Sequence, residues 1–221
     1  MSKTFIIGDI HGCSGLLSEL LEKIKPLAQD DIVIFIGDYI DRGPDSKGVI
    51  DIVLKLRAEH IRVITLMGNH EFMLLGAVRG HGHNEFLNMG GDATLGSYGI
   101  PPESVNDLAG KLPKDHLAFF EQLLPYWEDE DYIYVHAGLQ AGVHLTQQSP
   151  DWLFWARDEF INSTYNYGKK VIYGHTPYDL PKIDNNKIGI DTGAVYGNTL
   201  TCLILPEEKY IATGNKNRAF I

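Results

Sequence analysis

The sequence predicts an α/β fold, because short runs of β-branched and apolar residues alternate with stretches of helical periodicity. In the first half of the chain, strands are predicted at residues 4–8, 32–36 and 61–66. Amphipathic helices are predicted between them at residues 14–25 and 46–59, where leucine, isoleucine and valine recur every three or four positions. With 221 residues, 44% of them hydrophobic, the chain is large enough to bury a core of its own.

The second half of the chain has a different pattern. Residues 76–131 carry no strong strand signal and are too many for a simple connection, so we expect a helical insertion that lies over the strand ends, with helices near 104–108 and 114–124. No linker separates the two halves, and we predict one domain over residues 1–221. Beyond the insertion we predict one helix at about residues 150–161 and a mixed or antiparallel sheet with strands at 132–135, 171–173, 182–184, 188–190, 200–205 and 209–213.

Five predicted strands end beside side chains that can bind a metal ion. Because a sheet is rigid and glycine lets the backbone turn sharply after a strand, separate strand ends can bring their side chains to one point. Carboxylates, imidazoles and an amide, without cysteine, form a ligand set that suits manganese, iron or zinc. The motifs at these strand ends are Gly8-Asp9-Ile10-His11-Gly12, Gly37-Asp38-Tyr39-Ile40-Asp41-Arg42-Gly43, Gly68-Asn69-His70-Glu71, His136-Ala137-Gly138 and Gly174-His175-Thr176.

The aspartates have a simpler interpretation when they are considered alone. Asp9 and Asp38 could do no more than accept hydrogen bonds from turn amides, as aspartates after strands often do. Three histidines and Asn69 stand at matching strand ends, however, and their addition favours a metal centre over a purely structural role.

In this order, the five motifs resemble those of the phosphoprotein phosphatase family of metallophosphoesterases, whose signatures are GDxHG, GDxxDRG, GNHE, HxG and GH. The resemblance covers nearly the whole chain. Trp155-Ala156-Arg157 and Asp191-Thr192-Gly193-Ala194 are similar to the short bacterial and phage branch of that family. The resemblance implies a calcineurin-like fold, in which helices sandwich two mixed β-sheets and residues 76–131 form a helical lid insertion.

The resemblance also implies a centre with two divalent metal ions, manganese being the expected metal and iron or zinc the alternatives. Asp38 would bridge the two ions. A hydroxide shared by both ions would attack phosphorus directly, without a phosphoenzyme intermediate. The implied ligands are Asp9, His11 and Asp38 for one ion, and Asp38, Asn69, His136 and His175 for the other.

Four further side chains suit catalysis on a phosphate ester. His70 is expected to be the general acid that protonates the leaving oxygen, and Asp41 is expected to orient its ring. Arg42 and Arg157 carry planar guanidinium groups that match the oxygens of a phosphate, and the resemblance adds Asn69 to the substrate-binding residues. The simpler alternative is that His70 caps the following helix and that Asp41 only binds Arg42.

Composition excludes several other functions. With 19 basic and 29 acidic residues the net charge is -10, which argues against nucleic-acid binding and means that a phosphate site must supply its own positive charge. No apolar run approaches the roughly 20 residues of a membrane span, so we expect no membrane role. Two cysteines and the absence of a signal peptide favour a cytoplasmic protein, which we expect to be a monomer.

We expect the substrates to be proteins or peptides phosphorylated on serine or threonine, with phosphotyrosine as a further possibility. The chain is about as short as the bacterial and phage protein phosphatases, and it lacks the long C-terminal extension typical of the symmetrical diadenosine tetraphosphate hydrolases. A symmetrical bis(5'-nucleosyl)-tetraphosphatase is the first alternative, because it carries the same motifs. The second alternative is a non-catalytic metal-dependent binding protein on the same fold.

Overall fold

Two five-stranded mixed sheets form the centre of the computed structural model, which describes residues 2–60 and 62–215. The described residues leave out Met1, Ile61 and residues 216–221. Ile61 falls within the predicted strand at 61–66, and all of them fall within the predicted domain 1–221. The strands are β1 (Thr4–Ile7), β2 (Ile32–Phe35), β3 (Val63–Thr65), β4 (Tyr126–Glu128), β5 (Tyr132–Val135), β6 (Lys170–Tyr173), β7 (Lys182–Ile183), β8 (Lys187–Gly189), β9 (Thr199–Leu205) and β10 (Lys209–Gly214).

Helices cover the outer faces of both sheets and fill the insertion. Short 3-10 helices occur at Pro102–Asp107, Leu145–Gln147 and Ala194–Tyr196, and a π-helical turn occurs at Leu87–Gly91. The α-helices are α1 (Ser14–Ile24), α2 (Ser46–Glu59), α3 (Asn69–Val78), α4 (His83–Phe86), α5 (Asp92–Ser97), α6 (Leu108–Lys111), α7 (Lys114–Glu121), α8 (Pro150–Trp155) and α9 (Asp158–Ile161).

The first sheet has the strand order β10-β9-β1-β2-β3, and the second has the order β4-β5-β6-β8-β7. In the first sheet β1, β2 and β3 run parallel, and β9 pairs antiparallel with β1. In the second sheet β5, β6 and β8 run parallel. The carboxyl ends of parallel strands lie at one edge of a sheet, so each sheet presents several strand ends side by side.

Side chains alternate between the two faces of the first sheet and so belong to two different hydrophobic clusters. In β1 and β2, Ile6 and Ile34 face the second sheet and pack with Ile172 of that sheet and with Leu203 of β9. Their neighbours along the strands, such as Phe35, face the opposite way and pack against α1 and α2. A further cluster covers the outer face of the second sheet with side chains of α8 and α9. Two sheets between two helical layers are therefore the observed architecture, which confirms the predicted fold class.

The element predictions hold in most places and fail in two. The helix at 46–59 and the strand at 132–135 have the predicted bounds. The expectation of no strand within residues 76–131 is wrong, because Tyr126–Glu128 forms β4 and pairs antiparallel with β5. The single helix predicted at 150–161 is also wrong, because the backbone leaves helical geometry at Ala156 and Arg157 and separates α8 from α9.

The insertion contributes to the main core. Phe86, Leu95, Leu108 and Phe119 are almost fully buried, and they belong to the same hydrophobic cluster as the inner faces of α1 and α2. The short helices therefore pack against α2 and α3 through the same apolar surface that covers the first sheet. Action of residues 76–131 as a lid stays a prediction.

Across the described ranges, no helix is both long enough and apolar enough to span a bilayer.

A buried lysine fixes the segment that carries Arg157. Lys187 on β8 is 1% exposed, and its ammonium group donates to the backbone oxygens of Phe160 and Ile161, each at 3.1 Å, and to that of Ser163. The carbonyls at the end of a helix lack partners within the helix and carry partial negative charge, so a cation at this position stabilises α9. Arg157 directly precedes α9, and its backbone position therefore depends on this contact.

We expect Lys187→Met to lower the free energy of unfolding by about 1.5–3 kcal/mol, since it leaves buried carbonyl groups without a donor. Urea unfolding at neutral pH measures this loss. Lys55→Met is the matched control, because Lys55 forms only an exposed 3.8 Å ion pair with Glu59 and should change stability by less than about 0.5 kcal/mol. Equal stability of the two variants would contradict a capping role for Lys187.

Candidate metal centre

The predicted ligands come together where the two sheets end. Asp9 and His11 follow β1, Asp38 follows β2, and Asn69 begins α3 just after β3. His136 follows β5 and His175 follows β6 on the second sheet. All six side chains are buried, with exposed fractions between 0% and 7%. The structure therefore brings these six side chains to one region, and their role as metal ligands stays a prediction.

Several of these residues have strained backbones. His11, Asp38, Asp41, Arg42 and His175 all have positive φ, with values of 47°, 52°, 71°, 67° and 63°. Residues with a Cβ atom rarely adopt this conformation, and it persists only where the surroundings impose it. The sequence argument assigned the sharp turns to glycine, but at these positions the functional residues make the turns themselves.

Two glycines instead provide room. Gly68 and Gly174 do not have positive φ. A Cβ atom at Gly68 would overlap Oδ1 of Asp38, and one at Gly174 would overlap Oδ1 of Asp9. Each glycine is thus required because a carboxylate lies against its backbone.

One group of donor atoms forms around Asn69. Its Oδ1 lies 3.0 Å from Nε2 of His136 and 3.0 Å from Nδ1 of His175. Oδ1 of Asp38 lies 3.4 Å from the same Nε2 of His136. Asp38, His136 and His175 offer ligand atoms that all lie within 4.8 Å of one another.

The tautomer of His136 shows that this group suits a cation. Nδ1–H of His136 donates to the backbone oxygen of Ile36 at 3.0 Å, so Nε2 carries a lone pair. Burial lowers the pKa of His136 to about 3 and that of His175 to about 2, so both rings are neutral near pH 7. A nitrogen lone pair then faces the acceptor oxygen of Asn69 without a proton between them. A divalent cation bound by these atoms would make the contact favourable.

A second group forms around His11. Nδ1–H of His11 donates to the backbone oxygen of Ile40 at 2.8 Å, and Nε2 lies 3.3 Å from Oδ2 of Asp38. The Arg42 guanidinium donates to the same Nε2 at 2.7 Å. Asp38 thus presents one oxygen to His11 and the other to His136. The carboxylate lies between both groups, as a bridging ligand must.

Carboxylates crowd this region. Oδ2 of Asp9 accepts the backbone N–H of His175 at 2.9 Å. Asp191 is buried beside them and accepts the backbone N–H of Gly193 at 2.9 Å. Burial, followed by repulsion from neighbouring carboxylates, raises the pKa of Asp9, and burial raises the pKa of Asp191 to about 7. Positive charge must be supplied for these groups to ionise together.

Unpaired polar atoms point to the same requirement. Within residues 2–60 and 62–215, several buried side-chain atoms of the centre have no hydrogen-bond partner, although buried polar groups are normally paired. Oxygen and imidazole donors in this arrangement fit divalent ions such as manganese, iron or zinc. The unpaired atoms are Oδ1 of Asp9, Nδ2 of Asn69, Nε2 of His70 and Nε2 of His175.

His70 belongs to a buried network next to the candidate ligands. Its Nδ1 lies 2.6 Å from Oδ2 of Asp41, and its Nε2 lies 3.9 Å from Oδ2 of Asp38. Oγ1 of Thr94 donates to Oδ1 of Asp41 at 2.6 Å, and Thr94 and Ser46 both accept the backbone N–H of Asp41. Asp41 is therefore held rigidly against the His70 ring. His70 is also close enough to His11 and Asp38 to join a metal-binding group, so geometry permits two roles.

Two supporting residues, Thr94 and Glu71, are hard to recognise from sequence. Thr94 lies on α5 in the insertion, where neither spacing nor residue type distinguishes it from a helix residue. Glu71 has a weak signal as part of a motif, and it accepts backbone N–H groups from Gly68, Asp38, Tyr39 and Ile40 at 2.8–3.3 Å. It therefore holds the strained loop after β2 in place. Asp191 has the same strand-end pattern as the other ligands and could have been included on that ground.

The two arginines differ in exposure. Arg42 is half-buried and joined to the centre through His11, and its backbone N–H donates to Gly90 of the insertion at 3.1 Å. Arg157 is exposed, yet its charge contributes to the lowered pKa of His136 and of His175. Arg42 therefore lies at the inner wall of the candidate centre, and the charge of Arg157 acts on its histidines from the exposed side.

A family model described as calcineurin-like phosphoesterase matches residues 2–193. The chain therefore belongs to the calcineurin-like phosphoesterases, which is the family that its motifs resemble, and it is a phosphoesterase of the hydrolase class. Divalent metals are the cofactors of this family, and the His/Asp groups described above are candidate sites for them.

Relatives with two kinds of name are similar over almost the whole chain. The asymmetrical bis(5'-nucleosyl)-tetraphosphatase PrpE of Oceanobacillus iheyensis is 29% identical over 97% of this chain and 93% of its own length. Serine/threonine-protein phosphatase 1 of Salmonella typhimurium is 29% identical over 89% of each chain. A solved structure provisionally described as a diadenosine tetraphosphatase superposes with a TM-score of 0.75 at 24% identity, covering 98% of this chain and 95% of that one.

We expect manganese to raise the melting temperature by an amount that still increases with pH above the range in which an ordinary aspartate ionises. Metal binding competes with protons at the ligands, and the raised pKa of Asp9 extends this competition above the range of an ordinary aspartate. Ionisation of Asp9 without metal also destabilises the folded state as pH rises, which enlarges the difference in melting temperature between the manganese-bound and the metal-free protein. The lowered pKa values of His136 and His175 keep them from competing in this range.

Thermal denaturation with added manganese or with chelator, at a series of pH values, measures this dependence. Asp9→Asn is the informative variant, since it removes the titrating carboxyl. Its manganese-induced rise in melting temperature should be smaller and should depend less on pH. A manganese-induced shift that is constant above about pH 5.5 in the wild-type protein would contradict the assignment of Asp9 as a ligand.

Proposed function

We propose that this phosphoesterase hydrolyses phosphate esters with two divalent ions, held by Asp9, His11 and Asp38 on one side and by Asp38, Asn69, His136 and His175 on the other. The observation that carries the proposal is the position of Asp38, whose two oxygens face the His11 group and the His136 group separately. When bound, such ions neutralise phosphate charge and make water nucleophilic near neutral pH. Hydrolysis would then proceed without a phosphorylated residue.

The chain's own side chains would bind the phosphate. The guanidinium of Arg42 lies beside His11, where a metal ion at Nε2 would replace its hydrogen bond and leave it available to a phosphate, and Arg157 would reach the phosphate from the exposed edge. Bidentate contacts from these groups would stabilise the charge of the transition state. Nδ2 of Asn69 has no partner among the described residues and is available to donate to a phosphate oxygen.

His70 would supply the proton for the leaving group. Its Nδ1 is hydrogen-bonded to Asp41, and its Nε2 has no partner within the described part of the chain. Burial lowers the pKa of His70, and an ionised Asp41 at Nδ1 would oppose this by stabilising the imidazolium form, whose proton on Nε2 would be the one transferred to the leaving oxygen. A protein that only binds metal would not need this arrangement, which argues against the non-catalytic alternative.

Two substrate classes are candidates. A phosphoserine or phosphothreonine protein is one, supported by similarity to the Salmonella phosphatase and by a general acid suited to alkoxide leaving groups. A dinucleoside tetraphosphate is the other, supported by similarity to the PrpE proteins. Length does not separate them, because the chain covers 93% of a PrpE protein and 89% of the Salmonella phosphatase. The PrpE proteins are also named as asymmetrical hydrolases, whereas the motif resemblance suggested symmetrical ones.

The direct test is a panel of phosphopeptides, diadenosine tetraphosphate and an activated aryl phosphate, assayed with manganese. We expect activity to disappear with chelator and to return with manganese, and we expect a metal stoichiometry near two that falls well below two in Asp38→Asn, since Asp38 faces both groups. Full activity in a protein that elemental analysis shows to be metal-free would refute the proposed mechanism.

We expect His70→Asn to slow the hydrolysis of alkyl phosphates by roughly a hundred- to ten thousand-fold and that of activated aryl phosphates distinctly less. An alkoxide needs its proton during bond cleavage, whereas a phenolate with a pKa of about 10 or below leaves with less help. The measurement is kcat/KM across esters graded by leaving-group pKa. Thr94→Val should show the same pattern more weakly, because Thr94 acts only through Asp41.

Metal content distinguishes this role from ligation, which the geometry of His70 also permits. If His70→Asn loses metal, or if its dependence on leaving-group pKa is parallel to that of the wild type, His70 is not the general acid.

A further inference from the structure

A cavity of about 630 Å³ opens beside the candidate metal centre. Pro177, Tyr178 and Tyr196 line it, together with Asn198. Both sides of the cavity are close in sequence to residues of the centre. Pro177 is two residues beyond His175, and the 3-10 helix that ends at Tyr196 begins three residues after Asp191. The backbone N–H of Tyr178 donates to the backbone oxygen of Asp191 at 3.0 Å, which ties the two sides together.

Tyr196 exposes an unusually large aromatic surface. It is 63% exposed, the highest value among the large exposed hydrophobic side chains of the described residues. Positive φ values of 69° at Gly193 and 83° at Gly197 bracket the short helix that carries it. A single exposed ring is common on protein surfaces, so the proximity of Tyr196 to Arg42, and not its exposure alone, makes it a candidate ligand contact.

Arg42 connects this ring to the centre. Its guanidinium donates to Nε2 of His11 at 2.7 Å, and its Cζ atom lies 5.8 Å from the centroid of the Tyr196 ring. A phosphate bound by Arg42 would therefore direct one of its substituents towards Tyr196. The group bound in the cavity must lie within about one phosphate unit of the reacting phosphorus.

The chemistry of the cavity disfavours an anionic occupant. Asp179 is acidic, and the cations that lie against its aromatic rings, Arg42 at Tyr196 and Lys182 at Tyr178, are not among its described lining residues. Two tyrosines and a proline favour a flat apolar ring, and the asparagines at the edge favour polar ring substituents. The volume is far larger than a phenyl ring needs and lies within the usual range for nucleoside-sized ligands.

We propose that this cavity binds the nucleobase of a nucleoside monophosphate unit, with the base stacked on Tyr196 and its phosphate at Arg42. This inference rests on the proposed hydrolytic function and narrows its substrate to nucleotides, of which a dinucleoside tetraphosphate contains two such units. Because the base lies one phosphate from the reacting centre, cleavage would release a nucleoside monophosphate, and the products would be asymmetrical.

Competitive inhibition tests this stacking. AMP, ribose 5-phosphate and inorganic phosphate are compared as inhibitors of aryl phosphate hydrolysis by the manganese-loaded protein. We expect AMP to inhibit more strongly than ribose 5-phosphate in the wild type. Tyr196→Leu should raise the inhibition constant of AMP by roughly 5- to 100-fold, because stacking of a base on an aromatic side chain contributes about 1–3 kcal/mol.

The controls separate stacking from simpler effects. Tyr196→Phe retains the ring and should retain the advantage of AMP, whereas inhibition by ribose 5-phosphate and inorganic phosphate should be the same in all variants. Tyr165→Leu is the matched control, because Tyr165 is 44% exposed, lines a different cavity and contacts Tyr167 rather than Arg42.

Three results would overturn the proposal. Equal inhibition of the wild type by AMP and ribose 5-phosphate would mean that the base is not bound. Equal weakening of AMP and inorganic phosphate by Tyr196→Leu would mean that Tyr196 only supports Arg42. If Tyr196→Leu lowers kcat/KM for a phosphoserine peptide by as large a factor as it weakens inhibition by AMP, the cavity binds peptide rather than a nucleobase. Calorimetric titration of AMP into the manganese-loaded protein gives the same comparison without turnover, so an inactive wild type would refute the proposed function and leave this test intact.

Discussion

The organisation of this molecule depends on one buried carboxylate. Asp38 is 2% exposed, and its two oxygens lie within 3.3 Å of His11 and 3.4 Å of His136. Burial raises the pKa of Asp38, while the neighbouring His70 opposes this shift, so its ionised form depends on local positive charge. The sheets, the turns and the candidate ligands are arranged so that such charge can be held on both sides of this group.

The fold provides the necessary rigidity through backbone contacts. Parallel strands bring Asp9 and Asp38 to the same edge of the first sheet, and the second sheet brings His136 and His175 to meet them. Asp38 itself has a φ of 52°, a conformation that needs external support. Glu71 gives that support by accepting the backbone N–H groups of Asp38, Tyr39 and Ile40. Glu71, which is not itself a candidate ligand, thus fixes the backbone of the carboxylate on which both groups depend.

Local sequence patterns predicted what local physics determines. The alternation of β1 and β2 identified buried strands, and the strand-end motifs identified Asp9, Asp38 and His136, which the structure brings together. Contacts between distant segments left no such pattern. Thr94 supports Asp41 across 53 residues of chain, and the break at Arg157 arises where α8 ends and α9 is held from β8 by Lys187. The antiparallel pairing of β4 with β5 was missed because a strand of three residues is too short to show periodicity.

The contrast between local patterns and contacts of distant segments also explains why the reaction class is easier to infer from the sequence than the substrate. The candidate metal ligands are held by rigid strand ends, where any phosphate ester would meet the same charges and the same proposed general acid. Selectivity requires contacts to the part of the substrate beyond the phosphate, and those come from surface segments. Tyr196 is the contact that we propose, because it is exposed, its ring lies 5.8 Å from Arg42 and it belongs to the segment that follows the buried Asp191. A chain can therefore keep the whole centre and change substrate by altering the few residues around this cavity, which is consistent with relatives of nearly equal identity being named for two different substrates.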